Sequence, residues 1–289
     1  MKLLITGAQG YVGSRAAKLL AARGHQVTAL VRSTQQTGLD GMLSLAGNLE
    51  DPTEIAARMA DYDGIGHFAA AQSPEFGAIN ARFVEVILSR MSRGQIFAMQ
   101  SGSLVFGSTG TRVIDESAPL SPPPFLAERA SLEQSVIQAG GAGPKTSIVY
   151  AAMVHGGRGA MIPATLVDGS RRAGRVVYPG SGEQSWSTVH VNDWAELIAA
   201  ALEAKGSGGQ RYFAAGPLMS IRELAEACAR ALALPAPTAG TDGEVGAAYG
   251  FFAGALAMDQ RLSGQKAARL FGWTARRNDL QQSFADLNS

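Results

Sequence analysis

The sequence predicts an α/β protein built on a doubly wound parallel sheet, with a smaller lobe at its C-terminal end. Two observations predict it. Short apolar runs alternate with helix-period segments through the first half of the chain, joined by short Gly-bearing turns. The first run is followed at once by Gly7-x-x-Gly10-x-x-Gly13, which opens the first helix.

Taken in order, "KLLIT" (2–6) is a buried strand and "YVGSRAAKLLAARG" (11–24) an amphipathic helix stopped by Gly24. "QVTALV" (26–31) is the second strand, and Asp51-Pro52-Thr53-Glu54 signals the start of a helix over 52–60. Further strands are predicted over 64–71, 95–101 and 146–152, with helices over 79–91 and 125–140 between them. Beyond about residue 153 the rhythm loosens, and glycine, arginine and proline cluster over 156–183. A strand end and helix follow over 189–204, then a Ser220-capped helix over 221–232 and a loop over 234–244. "AAYGFFAGALAM" (247–258) suits a packed helix.

Composition bounds the function. With 46% hydrophobic and 17% charged residues over 289, the chain is of the ordinary globular class. Its formal net charge of +1 gives no reason to expect a nucleic-acid or acidic-membrane partner. A lone cysteine, Cys228, excludes an intramolecular disulfide and a cysteine metal cluster and fits a reducing cytoplasm. The opening apolar run is too short for a signal peptide, and no apolar run approaches the ~20 residues of a membrane span. Four histidines (25, 67, 155 and 190) show no ligand spacing, so no metal site is expected.

The glycine triplet carries the first chemistry. Glycines let the backbone turn tightly and approach a pyrophosphate, which then rests on helix N-terminal N–H groups. At the end of the second strand, where a carboxylate would bond the ribose of NAD, stand Val31, Arg32 and Ser33. A guanidinium there suits a 2′-phosphate, so NADP(H) is favoured over NAD(H); the alternative is that Arg32 is a solvated surface residue.

Six segments in order carry a resemblance: "TGAQGYVGS", "GNLEDP", "HFAAA", "SGSLVFG" (101–107), "WSTVHVNDWAELI" (186–198) and "FGWTAR" (271–276). They are similar to those of extended or atypical short-chain dehydrogenases/reductases, the NAD(P)-dependent epimerase/dehydratase-like group. The likeness covers nearly the whole chain. It implies a Rossmann-type dinucleotide-binding domain over 1–153, with 184–215 returning to it. Residues 154–183 and 216–289 then form a small substrate-binding lobe. The resemblance gives the cofactor to Gly7, Gln9, Gly10, Tyr11, Val12, Gly13, Arg32, Ser33, Asn48, Leu49, Ala69, Ala70, Ala71 and Arg129. Asn48 stands where the family has Asp, and an amide can still accept from the adenine amino group. Members of the group often pair as homodimers through a helix bundle, for which 125–140 is a candidate.

Active members use Tyr-x-x-x-Lys and a nearby hydroxyl. Here the matching residues are Phe125 and Arg129, followed by Glu133. Phe125 has no proton to give, and Arg129 keeps a positive charge that could hold ribose hydroxyls but is a poor acid. The hydroxyl position falls on Gly102, flanked by Ser101 and Ser103, which either serve the site or cap the strand end. Tyr150 and His155, at carboxyl ends of strands, are the other candidate proton donors; the alternative is a packing tyrosine and a satisfied loop histidine. His190 and Asp193 read as scaffold, not as a triad with Ser101. Residues 250–258 and Trp186 line an apolar substrate pocket or pack in a core or subunit contact.

The first reading is an NADP(H)-dependent oxidoreductase that reduces a small carbonyl, enone or imine without the usual Tyr acid. A second is a non-catalytic NADP(H)-binding sensor or partner protein. A sugar-nucleotide epimerase/dehydratase-like enzyme ranks last, because its chemistry begins with an alcohol oxidation that needs a base at position 125.

Overall fold

A computed structural model describes residues 1–33, 41–70, 75–141 and 143–288. Strands β1 (Lys2–Thr6), β2 (Gln26–Val31) and β3 (Leu43–Ala46) alternate with helices α1 (Gly13–Ala22) and α2 (Thr53–Ala57). Then come β4 (Gly64–His67), α3 (Phe76–Arg90), β5 (Ile96–Gly102), α4 (Ala127–Ala139), β6 (Lys145–Ala151) and β7 (Met153–His155). The chain goes on through α5 (Met161–Ala173), β8 (Val177–Pro179), β9 (Ser185–His190), α6 (Val191–Glu203), β10 (Gln210–Ala214) and β11 (Leu218–Ser220). It closes with α7 (Ile221–Leu232), β12 (Thr238–Gly240), α8 (Asp242–Tyr249), α9 (Ala253–Leu256), α10 (Gln265–Phe271) and α11 (Leu280–Asn288).

The main sheet is parallel, seven-stranded and ordered β10-β6-β5-β4-β1-β2-β3. Its central strands are continuous apolar runs; Leu3, Leu4 and Ile5 of β1 are fully buried. β1 lies between β2 and β4, with Thr6 level with Leu30 on one side and His67 on the other. The strand order therefore reverses at β1, and the carboxyl ends of β1 and β4 form the crevice where such sheets bind ligands.

Two compact units are distinguished: residues 1–101, 124–150 and 195–212, and residues 102–123, 151–194 and 213–289. Segments 102–123 and 184–194, expected with the nucleotide-binding part, thus belong to the second unit. Backbone pairing explains it. Thr109 N donates to Asp259 O at 2.9 Å, Ile114 bridges Leu262, and β9 pairs with β7 and β11. This unit packs α5, α7, α8 and α11 on a core that includes Trp186, Leu224, Cys228, Tyr249 and Phe284. Burial pushes the Cys228 thiol up to about 12, so it stays a protonated packing group.

Helix α5 runs through the Gly/Arg/Pro-rich stretch. Its Pro163 lies in the first turn, where a missing N–H costs nothing, and Gly174 ends it at φ +65°. The helix expected over 52–60 is α2 followed by a 3₁₀ turn at Met59–Asp61. The expected loop over 234–244 contains β12 and the start of α8. The expected helix over 247–258 is broken at Gly250, whose φ is +54°. Among the described residues no helix is long and apolar enough to cross a membrane, and no cluster of His, Cys, Asp and Glu could hold a metal.

Candidate functional site

The glycine loop sits at the carboxyl end of β1. Gly7 has φ +67°, and a Cβ there would stand 2.6 Å from the Phe68 carbonyl oxygen and the Ala69 nitrogen. A Cβ at Gly13 would collide with the Gly7 carbonyl, and Gly10 N donates to that same oxygen at 2.8 Å. Val12 begins α1 without any side-chain cap. A turn closed on itself, with a bare helix start behind it, fits a dinucleotide pyrophosphate. Arg15 flanks it, its guanidinium 5.0 Å from the Tyr11 ring centre and its Nη1 2.5 Å from the Tyr11 carbonyl.

A buried chain of polar groups fixes the floor. His67 Nε2 lies 2.6 Å from Asn80 Oδ1 and donates to it, so Nδ1 accepts the Thr6 hydroxyl proton at 2.8 Å. Thr6 Oγ1 in turn accepts from Phe68 N and Ala69 N, each at 3.2 Å. Burial first holds the His67 pKa down at about 4, so the ring is neutral. The sequence shows this histidine only as the first letter of "HFAAA"; nothing in it signals a brace between β1 and β4.

Of the other residues expected on the cofactor, Arg32 and Ser33 are exposed just past β2. Asn48 is exposed, and its Oδ1 accepts from Asp51 N at 2.8 Å; Leu49 is half-buried. Gln9 and Gly10 are exposed, Ala69 is half-buried and Ala70 exposed, while Ala71 lies outside the described residues.

Phe125 is 52% exposed and stands in the 3₁₀ turn Pro124–Leu126, just before α4 and not within it. Arg129 lies in the first turn of α4. Its Nε donates to Glu133 Oε1 at 2.7 Å and its Nη2 to the Gln100 carbonyl. Glu133 is fully buried, and the Ser101 hydroxyl donates to the same Oε1. Tyr150 is fully buried too; burial first, and the Glu133 carboxylate second, push its phenol above its ordinary range. Ser103 is buried in the turn after β5.

In the second unit His155 is 1% exposed, with Nδ1 2.9 Å from Ser283 Oγ. The Ser283 hydroxyl donates to Asp279 O at 3.0 Å, so His155 supplies the Nδ1 proton. Burial first, and then the neighbouring His190, hold the His155 pKa at about 4. His190 Nδ1 accepts from Asn192 N at 3.1 Å. Three of the expected proton donors are therefore turned into the protein. Ser101 serves Glu133, and Tyr150 and His155 are buried.

Asp193 is a brace. Its carboxylate accepts from Arg276 N at 2.8 Å, from Arg277 N at 2.9 Å and from the Arg277 guanidinium, while its carbonyl accepts from Trp273 Nε1 at 2.8 Å. The "VHVND" and "FGWTAR" segments are thus fastened to each other. Trp186 is 1% exposed and donates to Met258 O at 2.8 Å, which makes it core and not pocket wall. Phe251, 64% exposed, packs edge-on to Phe252 with ring centres 5.3 Å apart.

Comparison with known proteins fits this geometry. The model of the "NAD dependent epimerase/dehydratase family" matches residues 3–215. The 4-hydroxy-2-methyl-3-oxo-4-farnesyl-3,4-dihydroquinoline-1-oxide ketoreductase of Stigmatella aurantiaca is 31% identical over 227 residues, 74% of this chain and 67% of that one. The 2-alkyl-3-oxoalkanoate reductase of Stenotrophomonas maltophilia is 26% identical over 81% of this chain and 77% of its own. The UDP-Glc/GlcNAc 4-epimerase of Campylobacter jejuni superposes with a TM-score of 0.79 over 99% of this chain and 97% of that one; at 18% identity it speaks for the fold alone. With its glycine cradle at the switch point of a seven-stranded parallel sheet, the chain belongs to the NAD dependent epimerase/dehydratase family of short-chain dehydrogenase/reductase-like, nicotinamide-dependent proteins, which includes both reductases and sugar epimerases.

Proposed function

We propose that this protein is an NADP(H)-dependent reductase of a small carbonyl, enone or imine that works without a phenolic acid. The observation that carries the reading is an intact pyrophosphate cradle (Gly7, Gly10, Gly13) in a chain whose proton-donor position holds Phe125. Two relatives named as reductases of oxo compounds support it.

When bound, the nicotinamide supplies hydride to the substrate. The chain's part is to hold and orient. The glycine turn and the start of α1 hold the pyrophosphate, Asn48 and Leu49 flank the adenine, and exposed Arg32 pairs with a 2′-phosphate. The first unit is the nucleotide-binding part, and the second supplies the substrate lobe. An iminium carbon accepts hydride without any proton. A ketone or enone needs one, and with Phe125 aprotic and Ser101, Ser103, Tyr150 and His155 all buried, it comes from water.

The test is oxidation of NADPH and NADH against ketone, enone and cyclic imine panels, with wild type and Arg32→Ala. Turnover with at least one class is expected, with NADPH bound roughly tenfold or more tighter than NADH, a preference lost in the variant. Equal affinities in wild type would end the phosphate role of Arg32. The inward-turned hydroxyls and histidine favour a second reading, a non-catalytic sensor of the dinucleotide. Tight NADPH binding with no stereospecific hydride exchange on any panel would select it. An epimerase or dehydratase reading ranks behind both, since Phe125 cannot act as the base that alcohol oxidation requires.

A further inference from the structure

We propose that Arg129 is the hydrogen-bond donor to the reducible oxygen of the substrate, and that Glu133 and the Gln100 carbonyl hold it in position. The inference rests on the reductase reading.

A guanidinium has five N–H donors in a rigid plane. In Arg129 the Nε donor goes to Glu133 Oε1 at 2.7 Å and Nη2 bonds the Gln100 carbonyl. Nη1 makes no hydrogen bond among the described residues. The Arg129 side chain is 26% exposed, whereas that of Glu133 is fully buried. The inner edge of the fork is therefore anchored, and its outer edge keeps donors in reserve. The anchor is firm because a buried carboxylate that loses its counter-charge is left in a low-dielectric surrounding. A lysine could not do the same: a single ammonium cannot serve Glu133, the carbonyl and an outer ligand in one fixed plane.

The position of this fork is fixed by hydrogen bonds that lead to the phosphate turn. Gln100, whose carbonyl Arg129 grips, donates its own Nε2 to the Phe68 carbonyl at 2.9 Å. That is the carbonyl which a Cβ on Gly7 would strike at 2.6 Å. Arg129 thus stands on the carboxyl edge of the sheet, linked to the glycine cradle through Gln100 and Phe68.

As a ketone is reduced, hydride forms the new C–H bond and the C=O π pair moves to oxygen. Nη1–H of Arg129 donates to the growing alkoxide without releasing its proton. The alkoxide then takes a proton from water, and the hydroxide left behind is neutralised by bulk buffer. Charge stabilisation by a prepositioned donor so replaces the proton that Phe125 cannot give.

The experiment compares wild type, Arg129→Gln, Arg129→Lys and the double variant Arg129→Gln/Glu133→Gln, using ethyl acetoacetate or the fastest ketone of the panel. The double variant removes both buried charges, so it remains informative where the single one fails to fold. Expected is a loss of kcat of roughly 100- to 1,000-fold in the Gln variants. The NADPH Kd, read by fluorescence titration, should stay within about threefold in the same proteins, and the wild-type kcat should be flat between about pH 6 and 9. In Arg129→Lys the remaining rate should fall on the alkaline side as the amine titrates. An unchanged kcat in a folded Gln variant would overturn the inference. So would a rise of ~10-fold or more in NADPH Kd at constant kcat, which would make Arg129 a ribose clamp. Absence of wild-type turnover on every panel removes the reductase reading and the inference together; turnover that survives loss of Arg129 removes the inference alone.

Discussion

Each unit of this protein buries a carboxylate completely and pairs it with an arginine, but both oxygens of Asp193 accept hydrogen bonds whereas Glu133 accepts them at Oε1 and leaves Oε2 buried without one among the described residues. Asp193 accepts two backbone N–H groups, from Arg276 and Arg277, together with a guanidinium. Its ligands tie a loop to a helix, and the backbone donors cannot turn elsewhere. Glu133 is met by side chains alone, Ser101 and Arg129, and Arg129 has donor capacity left over. A buried Asp or Glu beside an Arg is therefore no mark of a site. What separates the two is whether the partners end at the carboxylate or continue past it.

The largest expected effect follows from the brace. Asp193→Ala should destabilise the protein by about 3 kcal/mol, since it leaves two backbone N–H groups bound to the buried carboxylate, those of Arg276 and Arg277, without their acceptor. Glu133→Ala should cost less, because Arg129 can swing toward water and Ser101 can rotate. Urea unfolding of both variants measures the difference. A larger loss for Glu133→Ala would reverse the comparison and make Glu133 the principal brace.

Acid provides a test in which the two units should behave alike. His67 in the first and His155 in the second are both held near pKa 4 from an ordinary 6.5, chiefly by burial. A histidine depressed in the folded state binds its proton more readily when unfolded. Its contribution is full above about pH 6.5 and is lost as pH falls through about 4, worth at most roughly 3 kcal/mol for each ring. Urea midpoints should drop across that window, and His155→Asn should remove about half of the slope. A wild-type stability that is flat from pH 6.5 to 4 would show that neither ring stays neutral through folding.

Much of this was readable before the structure, for identifiable reasons. Strands covered on both faces have to be apolar runs, so β1, β2, β4, β5 and β6 stand out by composition. The spacing of four that joins Arg129 to Glu133 is likewise a helix rule, and the two do pair. The same two-sided burial hid the fate of Tyr150. With residues 146–150 all buried, alternation cannot tell which side chain reaches a crevice, so the burial of a strand-end tyrosine is not legible. The setting of His155 is hidden for a related reason. Its partner Ser283 lies 128 residues further on, and no local pattern reports that contact. Helix α5 is masked by its own composition, since Gly, Arg and Pro near both ends interrupt the helical rhythm although Pro163 and Gly174 are placed where a helix tolerates them.

The smallest expected effect tests the helix starts. In the second unit α7 opens with a reciprocal cap: Ser220 Oγ accepts from Glu223 N at 3.1 Å, and Glu223 Oε2 accepts from Ser220 N at 2.7 Å. Helix α8 repeats the arrangement with Thr241 and Glu244. In the first unit α1 starts at Val12 with no side-chain acceptor, although its end faces the glycine turn. If caps in the second unit are structural and the bare end in the first awaits a phosphate, the two should respond to different perturbations. Ser220→Ala should lower stability by about 1 kcal/mol and leave NADPH Kd unchanged, because it orphans N–H groups far in role from the nucleotide. NADPH should raise the melting temperature of wild type and Ser220→Ala by the same amount. A cap variant that altered dinucleotide affinity would mean that the start of α7 is coupled to the cradle, and the division between structural and ligand-holding helix ends would have to be abandoned.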